Sequence, residues 1–181
     1  MTEEAGAREA GPEPGKNGAG AADGGTATVW LWLSLAVLAA DQATKWVVTR
    51  QFELFESVPV NPYLDLTLLH NTGAAFSFLA DAGGWQRWFF IALGIVVSVV
   101  ILFWLRRLPA RGQSWLAIGL SLVMGGALGN VIDRVLYGAV ADFLNMSCCG
   151  IDNPFAFNIA DVSIFAGAIG LVLFTGREKT S

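Results

Sequence analysis

Val140-Ala141-Asp142-Phe143 and Phe157-Asn158-Ile159-Ala160-Asp161 bracket one loop, and the second piece opens an apolar run that ends near Phe174. Each piece carries an aspartate at an apolar boundary. A carboxylate is expensive near a membrane and normally has a functional reason to be there. Two of them together point to a pair that shares one proton. Composition supplies the membrane. The chain has 181 residues, 54% hydrophobic and only 14% charged, where soluble domains carry about a quarter charged residues. Seven Trp and twelve Phe fit interfacial belts and lipid-facing surfaces. The net charge of -4 says little, because much of the acid sits near the N-terminus. No basic run points to nucleic acid. Cys148 and Cys149 are adjacent, a spacing that no zinc site uses.

Outward from that stretch, the apolar runs lie at about 29–48, 85–105, 114–136 and 159–174. The last is short for a crossing unless it tilts or extends into the interface. Residues 1–28 are Gly, Ala, Glu and Pro with almost no large apolar side chains. Such a segment cannot offset its ordering entropy, and it is expected to be a disordered tail. It also lacks the basic start and apolar core of a secretory signal peptide.

The first span opens on Trp30-Leu31-Trp32, an interfacial signature. Asp41 and Lys45 near its far end are four apart and share one helical face. They either anchor the helix end at the interface or face the protein interior. Glu53, Glu56, Pro59, Pro62 and Asp65 break any apolar run between 50 and 80. Leu64-Asp65-Leu66-Thr67-Leu68 alternates as a strand does. In Asn71-Thr72-Gly73-Ala74-Ala75-Phe76-Ser77, Gly73 permits close backbone approach and Asn71 offers both a donor and an acceptor. A plain turn is the simpler account of that segment. His70 is the only histidine; a structural role suits it better than catalysis, and no second His stands with it to hold a metal.

The third span ends Gly125-Gly126-Ala127-Leu128-Gly129-Asn130-Val131-Ile132-Asp133-Arg134. The glycines allow close helix packing. Asn130, Asp133 and Arg134 fall at i, i+3 and i+4 on one face. That face is either the wall of a wet cavity or an interhelical clamp without chemistry. The cysteine pair in the following loop is either free or a vicinal disulfide, and needs no function.

Four spans put both termini on one side. Arg106, Arg107, Arg111, Arg177 and Lys179 mark that side as cytoplasmic. The loops at 50–84 and 137–158 then face outward. Asp41, Lys45, Asn130, Asp133, Arg134 and Asp161 sit at the span ends facing them, level with Asn71, Asp142 and Asn158. The expected fold is an α-helical integral membrane protein with four transmembrane helices. A small extracytoplasmic β-rich segment is expected between the first and second. The domain would cover 29–176, followed by a cytoplasmic end at 177–181.

Two close carboxylates in a low-dielectric site cannot easily both ionise, so one serves as acid and its partner as base. That pair can activate water against an amide carbonyl without metal or cofactor. No Gly-x-Ser-x-Gly motif and no Cys–His pairing supports a nucleophile route. Proton- or ion-coupled transport is the alternative use of such residues. Against it, the polar groups cluster at one level, none lies mid-bilayer, and no internal repeat is evident.

Five pieces of the chain resemble bacterial lipoprotein signal peptidase, or signal peptidase II, a four-span aspartic endopeptidase. They are Asp41-Gln42-Ala43-Thr44-Lys45, Asn71 to Ser77, Gly125 to Arg134, Val140 to Phe143, and Phe157 to Asp161, in the family's order. The resemblance implies that Asp142 and Asp161 are the catalytic dyad. It implies that Asn71, Gly73, Asn130, Arg134 and Asn158 shape the site or hold substrate, with Asp41, Lys45 and Asp133 as structural support. It implies no metal or other cofactor. The substrate would be a prolipoprotein carrying a diacylglyceryl group on its cysteine, cut just before that cysteine. The protein would sit among phospholipids of the bacterial cytoplasmic membrane with its site near the extracytoplasmic face, and bind the inhibitor globomycin. Nothing in the sequence requires more than a monomer.

Overall fold

Each apolar run forms a helix. In the computed structural model, which describes residues 26–73, 83–109, 112–146, 153 and 155–174, these are α1 (Leu31–Gln51), α2 (Trp85–Arg107), α3 (Ser114–Tyr137) and α4 (Ile159–Phe174). A 3-10 turn over Ala27–Trp30 leads into α1. Three of the helices, with that turn counted into the first, are long and apolar enough to cross a membrane. The 16 residues of α4 reach only about 24 Å.

Helix α3 is the centre of the bundle and packs against the other three. Half of its most apolar window is inside the protein, against 17% for α1 and 22% for α2. Small residues make this possible. A Cβ on Gly126 would meet the Ala160 backbone carbonyl and Ile164 of α4. A Cβ on Gly129 would press on the Asp41 carboxylate of α1 and on Ala160. Glycine at these two positions lets three backbones converge where the polar residues lie. An apolar cluster lies between the α2 C-terminus and the start of α3, built on Leu105, Leu108, Ala117 and Leu120.

Ala27 belongs to that cluster and is fully buried. Its N–H donates to the Leu108 carbonyl at 2.9 Å. Residues 26–28 are therefore docked on the bundle, although composition predicted a tail through residue 28. Composition misjudges those residues because a backbone bond and one buried methyl, rather than large side chains, dock them. The rest of that tail, the Cys148-Cys149 pair, Ala74 to Ser77 and the C-terminal residues 177–181 lie outside the described residues.

One antiparallel sheet of order β1-β2-β3-β4 caps one end of the bundle. Strands β1 (Ser57–Asn61) and β2 (Leu64–Asn71) come from the segment between α1 and α2. Strands β3 (Val140–Asn145) and β4 (Ala156–Phe157) come from the segment between α3 and α4. The sheet is thus not confined to the first segment, as the sequence had led one to expect. Its inner pairing runs across the two: Leu69 stands opposite Asp142, and Asn71 opposite Val140. Strand β3 hides its strand character because Val140, Asp142, Phe143 and Asn145 are all buried, which erases the alternation of a one-sided strand.

Candidate active site

Asn158 joins the two aspartates. It follows β4 directly and caps α4. Its carbonyl accepts the first helical bond from the Val162 N–H, at 3.1 Å. Its Oδ1 accepts the Asp161 backbone N–H at 2.9 Å. An asparagine cap bonding the third helical residue is the favoured way to satisfy a helix start. Because Oδ1 is held by a donor, the amide Nδ2 must point away from Asp161's backbone. It donates to Asp142 Oδ1 at 2.6 Å. A single fully buried side chain therefore fixes the first turn that carries Asp161 and grips the carboxylate of Asp142.

Asn71 and Asn130 repeat this logic. Asn71 Oδ1 accepts the Gly73 N–H at 2.9 Å, so its Nδ2 is free to donate to Asp142 Oδ2 at 3.0 Å. The register explains the reach: Asn71 lies two residues beyond Leu69, diagonal to Asp142 on the neighbouring strand. Asn130 Oδ1 accepts from Lys45 Nζ at 3.0 Å, so its Nδ2 donates to Asp161 Oδ1 at 2.8 Å. In each case the oxygen is held by a donor and the N–H is turned onto a carboxylate.

Beneath this layer is a buried ionic one. Lys45 Nζ lies 2.8 Å from Asp41 Oδ2 and 2.8 Å from Asp133 Oδ2. With Asn130 as its third acceptor, the ammonium is saturated. Asp41 Oδ1 accepts the Ala160 N–H at 2.9 Å, so α1 satisfies a second donor at the start of α4. A carboxylate at a helix N-terminus is favoured there. Asp133 Oδ2 accepts the Ala141 N–H at 3.4 Å, which ties α3 to the strand holding Asp142. The Asp41–Lys45 pair thus faces the protein interior rather than the interface.

Arg134 fastens the neighbouring loop. Its Nη2 donates to the Gly73 carbonyl at 2.5 Å and its Nη1 to the Asn130 carbonyl at 3.2 Å. Its guanidinium lies over the Phe90 ring of α2, 5.1 Å from the centroid. Gly73 is therefore held from both sides, by Asn71 at its nitrogen and by Arg134 at its oxygen.

Every candidate residue named from the sequence lies in this one network, through direct contacts. Two contributors had gone unremarked. Gln42 donates to Asp41 Oδ2 at 3.2 Å, to the Gly129 carbonyl at 3.3 Å and to Asp133 Oδ1 at 3.0 Å. Arg87 of α2 donates to the carbonyls of Arg134 and Val135 at 2.8 and 3.1 Å, and so closes the C-terminal end of α3. Position 42 lies next to Asp41 and three before Lys45, which places it beside a charged helix face. His70 stands elsewhere: it is exposed and lines an open cleft of about 770 Å³ with Trp46 and Tyr137. That cleft is lined by neither Asp142 nor Asp161.

Asp142 is 3% exposed. Burial, and after it the charge of Asp161, pushes its carboxyl up to about 7. The amide bonds from Asn71 and Asn158 and the charge of Lys45 pull the other way and are outweighed. A carboxyl poised near neutrality beside a second carboxyl can hold or release a proton at working pH, as general acid–base chemistry needs.

Residues 33–176 match the family model described as signal peptidase (SPase) II. A lipoprotein signal peptidase of Pseudomonas putida is 48% identical over 153 residues, covering 84% of this chain and 89% of that protein. A lipoprotein signal peptidase of Pseudomonas fluorescens is 51% identical over 151 residues, covering 83% and 88%. Among solved structures, a bacterial membrane enzyme superposes with a TM-score of 0.71 at 30% identity, covering 84% of this chain and 93% of its own.

Proposed function

Since this chain belongs to the signal peptidase II family, we propose that it removes signal peptides from lipid-modified prolipoproteins, with Asp142 and Asp161 as acid and base. The observation that carries the assignment is the asparagine arrangement: Asn71, Asn130 and Asn158 all turn N–H groups onto the buried Asp142 carboxylate or the half-buried Asp161 carboxylate. Such an environment holds both groups in fixed orientation while their mutual charge keeps one proton between them.

In the proposed reaction the ionised carboxylate takes a proton from water as its oxygen attacks the scissile carbonyl carbon. The protonated partner gives its proton to the carbonyl oxygen, which forms a neutral tetrahedral diol. Collapse of the diol passes one proton to the leaving amide nitrogen and breaks the C–N bond. A new carboxyl terminus and a free amine result. The pair titrates as a unit, with one proton held between the two carboxyls.

All four helices are assigned as membrane spans, α4 tilted or extended at its ends. Arg106 and Arg107 at the end of α2 put that end in the cytoplasm. Both termini share that side, and the sheet with the dyad meets the extracytoplasmic face. A diacylglyceryl chain on the substrate cysteine would stay in the surrounding phospholipid and bring the bond just before that cysteine to the dyad. Gly73, held by Asn71 and Arg134, would fix the loop edge beside the bound chain. A globomycin-type inhibitor would occupy the same position. The protein would act as a monomer.

Cleavage in liposomes tests this. A precursor bearing the diacylglyceryl group should be cut on the N-terminal side of its cysteine, as read by product mass, and the same peptide without lipid should be cut far more slowly. A lipid-independent cut, or one elsewhere, would overturn the substrate assignment. A proton-flux measurement in the same liposomes should be silent; a robust flux would favour the transport alternative.

A further inference from the structure

We propose that Lys45 is a positioning residue for the peptidase reaction, acting on Asp161 through the side-chain amide of Asn130. The inference rests on the function proposed above and assigns Lys45 a task beyond holding helices together. The amide of Asn130 has two possible orientations. In the one observed, its N–H reaches Asp161 at 2.8 Å and its oxygen reaches Lys45 Nζ at 3.0 Å. Among the described residues one other donor meets that oxygen, Asn158 Nδ2 at 3.4 Å. That amide is already committed to Asp142 at 2.6 Å and is a weak competitor.

An ammonium has three donors and no acceptor. A flipped Asn130 would set its NH2 against Lys45, donor against donor, in a site where the lysine is 4% exposed and the asparagine 8%. Buried polar groups left facing each other in this way are costly. Lys45 therefore keeps Asn130 a hydrogen-bond donor whether Asp161 is ionised or protonated. Without the lysine, a protonated Asp161 could turn Asn130 around and donate to its oxygen. The dyad would then have two arrangements, one of them with an aspartate oxygen engaged in the wrong sense at the moment it must exchange a proton.

The lysine itself is rigidly held. Asp41 and Asp133 fix it from two helices, at 2.8 Å each. Gln42 donates to both of those carboxylates, so the acidic pair is bridged on two sides. This four-residue frame presents one ammonium proton to Asn130. Asp161 thus receives its orientation from two directions: Asn158 sets its backbone, and Lys45, through Asn130, sets what its carboxylate meets.

The test is a double-mutant cycle on the purified protein in liposomes with a diacylglyceryl precursor. Lys45→Met keeps the stem and removes the donor. It should lower kcat by about 10- to 100-fold, the scale of one charge-assisted hydrogen bond, with KM changed less than about twofold. In an Asn130→Ala background the same substitution should lower kcat by no more than about threefold, because the amide it orients is gone. Lys45→Met/Asp133→Asn preserves the net charge of the buried frame and repeats the measurement in case the single variant folds poorly. Wild-type kcat in Lys45→Met, or a loss that multiplies in full with that of Asn130→Ala, would overturn the positioning role. Failure of the wild-type protein to cleave the precursor would instead count against the function on which the inference rests.

Discussion

Replacing Asp142 by Asn should change how stability depends on pH, because this carboxyl is held in its proton-bound form by the fold. Its ordinary value of 3.8 is raised to about 7, chiefly by burial. Below the ordinary value the group is protonated in folded and unfolded chains alike, and its contribution to stability is complete. As pH rises, the unfolded chain releases the proton while the folded one retains it, so stability is lost until pH reaches about 7. About three decades of proton affinity correspond to a loss of ~4 kcal/mol. Asparagine does not titrate and escapes that loss. It carries a cost of its own: Asp142 accepts amide N–H groups from Asn158 and Asn71, and an asparagine can accept only one, its own NH2 facing the other. That mismatch costs about 1–3 kcal/mol. The variant should therefore be less stable than wild type near pH 4 and more stable by about 1–3 kcal/mol at pH 8. Thermal unfolding followed by tryptophan fluorescence in detergent at pH 4, 6 and 8 measures this. Stability curves for the two proteins that stay parallel across that range would refute the account of Asp142.

Three further substitutions probe the frame. Gly126→Ala should destabilise the protein by about 1–3 kcal/mol, because its methyl would run into the Ala160 backbone carbonyl, whereas Gly170→Ala should be neutral because nothing lies within 4 Å of that position; paired melting curves distinguish them. Asp41→Asn retains an acceptor for the Ala160 N–H but sets an amide against Lys45, and should cost on the order of 3 kcal/mol, read from the same melts.

The helices were legible because apolar runs and charged ends survive any tertiary context. The pairing of Asp41 with Lys45 followed from a four-residue spacing, and the polar face of α3 from Asn130, Asp133 and Arg134. The meeting of those two faces was not legible. It depends on Gly129, where the α3 backbone comes against the Asp41 carboxylate, and a glycine in sequence does not say which helix will approach it. The role of Gln42 was hidden for the same reason, since two of its acceptors lie 87 and 91 residues away. The capping role of Asn158 could have been read as well: an asparagine three residues before an aspartate at the start of an apolar run is a helix-start signal. Its second hydrogen bond, to Asp142, could not, because that requires β3 to be a strand, and burial on both faces removes the strand's alternating signature.

The central claim is that Asp142 and Asp161 together carry the hydrolysis. It is tested most directly by single-turnover cleavage of a diacylglyceryl precursor by purified Asp142→Asn and Asp161→Asn, each first shown to be folded by its melting curve. Each substitution alone should abolish product within the limit of detection, since neither carboxyl can act as both acid and base. Cleavage by either variant at a rate near wild type would contradict the dyad.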